Sequence, residues 1–455
     1  MDRRTALGLS AGALVMPTVG FSQSGGKSYI EDRISPQHFN PVYDWLEALL
    51  GAIRDDGLVP PQSGRVLAVG FTAGFAAMNS ARRVYQDTQG IPAASVDADP
   101  IAAFSAAAKV ASQTAAQRSF GGTHARVLRL IPDGPRKANG ISLGLKVGQV
   151  FADRRARDGS EETASIYYRG IYQKRNHILS WEPTLPHFRG GTGPRIDPFT
   201  RPVLPAWGYV KPYGIRSAKR YRADIFPDPA SQVFWDDVRL IKALGGTKSR
   251  VRDANESQVA FFWEDGPRGA TTCGHFQLIA AQLMQGRMSV FELARAMMLV
   301  AMSQGDAGIC AWDSKYIFDI VRPETIIRRR MRTLPGFDRR QVDLDPRWTS
   351  LILTPPFPAY TSGHSTFGAA GARMMQLILG TDRARFTLRP PDLAWWPDQL
   401  SGVSRSYNSI WRTAEENGLS RLYGGVHWSF DHDQGMTAGK GIAEEIFARQ
   451  YSQRV

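Results

Sequence analysis

The sequence predicts an all-α fold. Three observations carry that expectation. Apolar residues recur at helical spacing in several stretches, Ala/Gly-rich runs of helical length follow them, and no strand-like alternation of any length appears. With 455 residues and 43% hydrophobic composition, the chain is long enough for one large core or two fused ones. The formal charge of +14 suits anionic ligands without choosing among them, and the aromatic share of 10% excludes a disordered basic tail.

Taken in order, residues 1–24 read as an export signal. Asp2-Arg3-Arg4-Thr5 is followed by the short apolar run Ala6 to Val19 and the small residues of Gly20-Phe21-Ser22. The adjacent arginines point to the twin-arginine route, hence to the periplasm or to secretion. There is no run of roughly 18 apolar residues, so no membrane span is expected. Two cysteines, Cys273 and Cys310, are too few for a disulfide framework, and whether they form one bridge stays open.

Residues 25–228 form an N-terminal helical half. In Pro41 to Asp55, Val42, Trp45, Leu46, Leu49, Leu50 and Ile53 share a helix face, and Gly57 with Pro60-Pro61 breaks the pattern. Arg65 to Tyr85 and residues 99–117 are two small-residue helices. Gly140, Gly144 and Gly148 fall at i, i+4 and i+8, a smooth face for close helix contact. From Trp181 to Pro229, dense Pro and Gly replace periodicity. That long irregular stretch reads as a belt that shapes a pocket or ties two helical halves together. Residues 229–455 return to helices, at Pro229 to Leu244, Asn255 to Trp263, Thr271 to Gln285 and Ser289 to Arg322. The run Arg328-Arg329-Arg330-Met331-Arg332 is read as a solvated basic face, with no nucleic acid partner.

The chemistry concentrates in three separated segments. In Pro355 to Ala372, prolines deliver an extended chain to Ser362, the expected N-cap of a helix that begins Gly363-His364. Such a helix start offers unpaired N–H groups to an anion, and His364 adds a proton carrier. In Lys315 to Pro323, Lys315 and Arg322 lie seven residues apart and would share one helix face; a Lys315–Asp319 surface pair is the plain alternative. In Ser420 to His427, Gly424-Gly425 breaks the chain, so that Arg421 ends one helix and His427 begins the next. Asp431 is placed to orient that helix start. A zinc site from His427, Asp431 and His432 is disfavoured because His432 lies on another face. Two arginines, one lysine, a Ser–Gly helix start and two histidines suit a tetrahedral oxyanion of high charge.

The ordered triple K-x6-R-P, S-G-H and S-R-x5-H-x3-D is similar to the signature of the type 2 phosphatidic-acid phosphatase and vanadium haloperoxidase superfamily. Asn40-Pro41, Ala52-Ile53-Arg54, the glycines at 140–148 and Trp312-Asp-Ser-Lys315 resemble bacterial vanadium-dependent haloperoxidases. That resemblance implies two helical bundles, with the active site in the C-terminal one. It also implies a vanadate cofactor, with hydrogen peroxide and a halide as partners and an undefined organic acceptor. Lys315, Arg322 and Arg421 would bind vanadate oxygens, as would the Ser362 hydroxyl and the Gly363 N–H. His427 would be the axial ligand and His364 the acid–base group. Trp312 and Phe357 would line the halide pocket, Phe357 in the manner of chloroperoxidases. Thr361 departs from the Pro that usually precedes Ser-Gly-His.

The expected function is therefore a vanadate-dependent haloperoxidase. The alternatives are an acid phosphatase working through a phosphohistidine at His427, and an exported oxyanion-binding protein without turnover. The halide and the oligomeric state, a homo-oligomer included, are open at this point.

Overall fold

The computed structural model describes residues 28–160 except 32. It also describes residues 177–452 except 184–186, 189–194, 197–201, 267 and 394–395. The expected export signal lies outside the described residues.

Helix α1, Pro41–Asp55, is capped by Asn40, whose side chain accepts from the Val42 N–H, and it buries the apolar face expected of it. Helix α2 spans Pro60–Arg82. The Pro60-Pro61 pair was expected to break structure. It instead opens this helix at the first two positions, where a missing N–H costs nothing and φ is already helical. Helices α3 (Pro100–Ala116), α4 (Gly121–Arg129) and α5 (Pro135–Ala156) complete the first half. The glycine face of α5 does lie on α3. A Cβ at Gly140 would stand 2.5 Å from the Asp99 carbonyl, and one at Gly144 would run into the Ala103 carbonyl.

The belt contains only short 3-10 turns and a two-residue strand pair among its described residues. It is pinned to the second half by buried polar groups. Asp306 accepts the N–H groups of Tyr213, Gly214 and Ile215 at 2.7–2.9 Å, and Trp312 donates its indole N–H to the Val203 carbonyl.

The second half holds α6 (Gln232–Leu244), α7 (Ala254–Phe262), α8 (Thr271–Met284), α9 (Val290–Phe318), α10 (Gly363–Leu379), α11 (Trp411–Tyr423) and α12 (Ser429–Arg449). Helix α9, 29 residues long and nearly all buried after its first turn, is the axis. It packs on α2 in one half and on α10 and α12 in the other, so one apolar core runs from Tyr29 to Tyr451. A smaller core around Phe234, Trp235, Tyr360 and Trp428 backs the site.

Two expectations need correction. Strands β1 (Arg383–Leu388) and β2 (Arg405–Ser409) pair antiparallel. The Ala384, Phe386, Leu388 alternation was passed over because the segment is short and crowded with arginines. Helix α9 was expected to reach Arg322, but it stops at Phe318, with Asp319 in the left-handed region at φ 54° as its C-cap. Cys273 and Cys310 are both buried and free. Among the described residues, no helix is long and apolar enough to cross a membrane.

Candidate active site

Four pieces of chain meet at the start of α10. The first is the end of α9. Lys315 is fully buried, and its ammonium donates to the carbonyls of Pro358, Ala359 and Thr361 at 2.9, 2.8 and 2.5 Å. The alternative of a Lys315–Asp319 surface pair does not describe this buried lysine. Its charge holds the proline-rich segment and faces the site, while its N–H groups are occupied by carbonyls. Burial, then Arg322 and Arg421, push its pKa well below the usual lysine range, with Asp431 opposing.

The second piece is Arg322. It sits outside any helix, in an extended conformation (φ −76°, ψ 154°), and converges with Lys315 because the chain turns back after Asp319. The shared helix face was the wrong reason for the right neighbourhood. Nε donates to the Phe357 carbonyl at 2.9 Å, and Nη1 donates to the Val426 carbonyl at 2.6 Å and to His427 Nε2 at 3.0 Å. Nη2 is buried without a hydrogen-bond partner.

The third piece is the α11–α12 junction. Gly425, at φ 73°, makes the turn that a side chain would strain. Arg421 is 2% exposed and stands in the last turn of α11, with Nε and Nη1 both buried and unpartnered. Burial pushes its pKa down to about 10, against the opposing pull of Glu264 and Asp265. His427 Nδ1 lies 2.7 Å from Asp431 Oδ2, which also accepts the Trp428 N–H. Since Arg322 can only donate, His427 Nε2 must be the lone-pair nitrogen, and Nδ1 carries the proton to Asp431. Burial, followed by Arg322, Lys315 and Arg421, drives the imidazole pKa well below its usual value and keeps it neutral. His432 points elsewhere, to Ser365 Oγ, so the zinc arrangement is not assembled.

The fourth piece is α10 itself. Ser362 caps it, accepting the Ser365 N–H at 3.3 Å, and Gly363 and His364 occupy the first turn, whose N–H groups have no carbonyl within the helix. His364 Nε2 lies 3.2 Å from the Glu264 carbonyl. A carbonyl only accepts, so Nε2 carries the hydrogen and Nδ1 the lone pair in the neutral ring. The two site histidines are thus held in opposite tautomers. Burial first, then Arg421, lowers the His364 pKa well below its usual value.

Aromatic rings close one side. Trp312 and Phe357 have centroids 5.0 Å apart, and the Lys315 ammonium and the Arg322 guanidinium carbon lie 5.1 and 5.0 Å from the Phe357 ring. Lys315, Arg322, Arg421, Ser362, Gly363, His364, His427, Asp431, Trp312 and Phe357 lie in this one neighbourhood, whereas His432 does not face it. Three that act here were not singled out. Glu264 anchors the His364 ring through its carbonyl, and Asp265 lines the site beside Arg421. Asn417 donates to the His364 carbonyl at 2.7 Å. Asn417 stands four residues before Arg421, a helical spacing that could have flagged it; a backbone carbonyl partner leaves no such trace.

The site fits a tetrahedral oxyanion on its own chemistry. Three buried cations face it, two of them with orphaned N–H groups, and such orphans are costly unless a ligand meets them. Among the described residues, no group of three or more His, Cys, Asp or Glu side chains could hold a metal ion.

The model of the VCPO second helical-bundle domain matches residues 295–454. The vanadium chloroperoxidase of Curvularia inaequalis is 25% identical over 295 residues, which is 50% of this chain; the match spans about half of that relative, 47% of its length. The first bacterial vanadium-dependent iodoperoxidase structure superposes with a TM-score of 0.74 at 20% identity, over 92% of this chain and 99% of the other. The apo form of a bacterial vanadium-dependent chloroperoxidase gives 0.67 at 17% identity, over 86% and 94%. Residues 295–454 thus match the second helical-bundle domain of that family model, and the chain shares its fold over almost its whole length with the bacterial vanadium-dependent iodoperoxidase and chloroperoxidase structures.

Proposed function

We propose that this protein is a vanadate-dependent haloperoxidase that oxidises a halide with hydrogen peroxide to a hypohalous species. The observation that carries the reading is the ring of unmet donors, Arg322 Nη2 with Arg421 Nε and Nη1, buried around a lone-pair nitrogen of His427. Those donors would take oxyanion oxygens in charge-assisted bonds, joined by the Gly363 N–H and the Ser362 hydroxyl. Lys315 would supply charge without a directed bond. His427 Nε2 would hold the vanadium, exchanging its contact with Arg322 Nη1 for the ligand, while Nδ1 keeps its hydrogen bond to Asp431. When bound, vanadate supplies Lewis acidity toward peroxide. His364 Nδ1 would remove a proton from the incoming peroxide and return it to the departing oxygen, with Nε2 anchored throughout. Trp312 and Phe357 would keep water from the halide. We also infer export, from the twin-arginine-like start of the chain.

The test is peroxide-dependent oxidation of iodide, bromide and chloride by the full chain, with and without vanadate. A rate that requires vanadate and is lost in His364→Ala, with anion binding retained, is the expected outcome. No vanadate-dependent rate with any of the three halides would overturn it. Phosphate-ester turnover inhibited by vanadate would instead assign the site to a phosphatase.

A further inference from the structure

A second space adjoins the anion site. It encloses about 100 Å³, opens to solvent, and has His364 and Arg421 in its lining. The rest is largely apolar and comes from three parts of the chain. Leu58 and Val59 precede α2, Val203 belongs to the belt, and Leu353, Pro356 and Phe357 lead into α10. Leu353 is half-buried, lines this wall and belongs to neither of the two apolar cores. Glu264 and Asp265 also line the space and would repel an anionic guest.

We propose that this cavity holds a neutral, apolar, electron-rich organic acceptor while it is halogenated. The proposal rests on the haloperoxidase reading and adds the acceptor that it lacks. An apolar pocket with a few converging polar groups at one end is the usual form of a small-molecule site. Size narrows the guest. A cavity of ~150 Å³ encloses a whole benzene ring, so a smaller open one takes a ring edge or an alkene and leaves the remainder outside. The inserted edge would lie next to His364, and that position would react.

The step balances. Halide gives two electrons to hydrogen peroxide and takes one of its oxygens as hypohalous acid, while the other oxygen picks up a proton from solvent and leaves as water. The acceptor's carbon then takes the halogen, its C–H proton passes to a base, and the oxygen of the hypohalous acid leaves as water. His364 and Glu264 both stand in the lining, within the reach of such a guest.

The experiment uses methoxybenzene as the probe and the full chain. Saturation-transfer NMR without vanadate reads binding, and the ortho-to-para ratio of bromination with vanadate, peroxide and bromide reads placement. Wild type is expected to transfer saturation to the ring protons and to shift the product ratio at least about threefold from that given by added hypobromous acid. Leu353→Trp should abolish the transfer. Leu353→Ala should move the ratio toward the free reagent while iodide oxidation stays within about twofold of wild type.

Absence of transfer in wild type, or a ratio equal to that of the free reagent, would overturn the proposal. If neither iodide, bromide nor chloride is oxidised, the haloperoxidase reading fails. The NMR arm then still decides whether the cavity takes an apolar guest.

Discussion

Arg421→Met separates a functional cation from a structural one. Arg421 is buried, and two of its guanidinium nitrogens have no partner in the unliganded protein. A cation kept for stability would be paired. One kept for an anion is a liability until the anion arrives. Hydrogen bonds to charged groups contribute roughly 1.5–3 kcal/mol each, so losing two to an oxyanion should cost about 3–6 kcal/mol of binding, or about 10²–10⁴-fold in affinity. Replacing a buried charge that lacks hydrogen-bond partners by an apolar side chain of similar length removes its desolvation cost. The nearby Glu264 and Asp265 work against that gain, because each loses an opposite charge. The unliganded variant should therefore be at least as stable as wild type while binding the anion far more weakly. Calorimetric titration with vanadate and with phosphate reads the first quantity, and denaturant unfolding without anion reads the second. An affinity within about threefold of wild type would refute the assignment. A loss of more than about 2 kcal/mol in the unliganded state would show that Arg421 is structural instead.

Three further outcomes follow from the geometry. Asn417→Ala removes the 2.7 Å bond to the His364 carbonyl; it should lower kcat for halide oxidation about tenfold, through one lost neutral hydrogen bond, while leaving vanadate affinity unchanged. Asp237 caps the start of α12 by accepting the Ser429 N–H, and burial raises its carboxyl from 3.8 to about 6. The folded chain therefore binds that proton more tightly than the unfolded chain, and the associated stability is full below pH 4 and lost as pH rises through about 6. Asp237→Asn keeps an acceptor and removes the loss, so between pH 4 and pH 8 denaturant unfolding should show the variant gaining about 3 kcal/mol over wild type. Gly144→Leu forces a side chain against the Ala103 backbone; thermal unfolding should show it destabilised by about 1–3 kcal/mol or more, whereas the same change at the unobstructed Gly122 should be far milder.

How far the site could be seen in the sequence depended on what kind of signal each residue leaves. Helical spacing and caps are local, so α1 could be placed at Pro41–Asp55 and α3 to within a residue at each end. Gly424-Gly425 is a local signal too: it separated Arg421, in the last turn of α11, from His427, although His427 was expected to begin the next helix and instead lies in the bend before α12, which starts at Ser429. Arg322 shows the limit. Its spacing from Lys315 matched a helix face, yet the helix ends at Phe318, and the two cations meet because the chain turns at Asp319 and the Phe357 and Val426 carbonyls hold the guanidinium. Periodicity cannot register a bond to a carbonyl some 35 or 104 residues away. Glu264 was missed for the same reason, since its backbone oxygen would be present in any residue at that position.

The same physics explains why so much chain surrounds so small a site. Three buried cations repel one another, and burial depresses the pKa of each. Something must hold them together without neutralising them, because a carboxylate on each would leave nothing for the anion. The protein uses carbonyl dipoles instead. Three of them saturate Lys315 and two hold Arg322, and all five belong to the extended segments at 357–361 and 426. Asp431 bonds the far nitrogen of His427 and none of the three cations directly, with burial raising its own pKa to about 7. Extended backbone can be kept dry only inside a thick shell, here the smaller core behind it and the belt across it. That shell lets carbonyl dipoles, and not counter-charges, hold the positive charge that the site presents to an oxyanion in the protein interior.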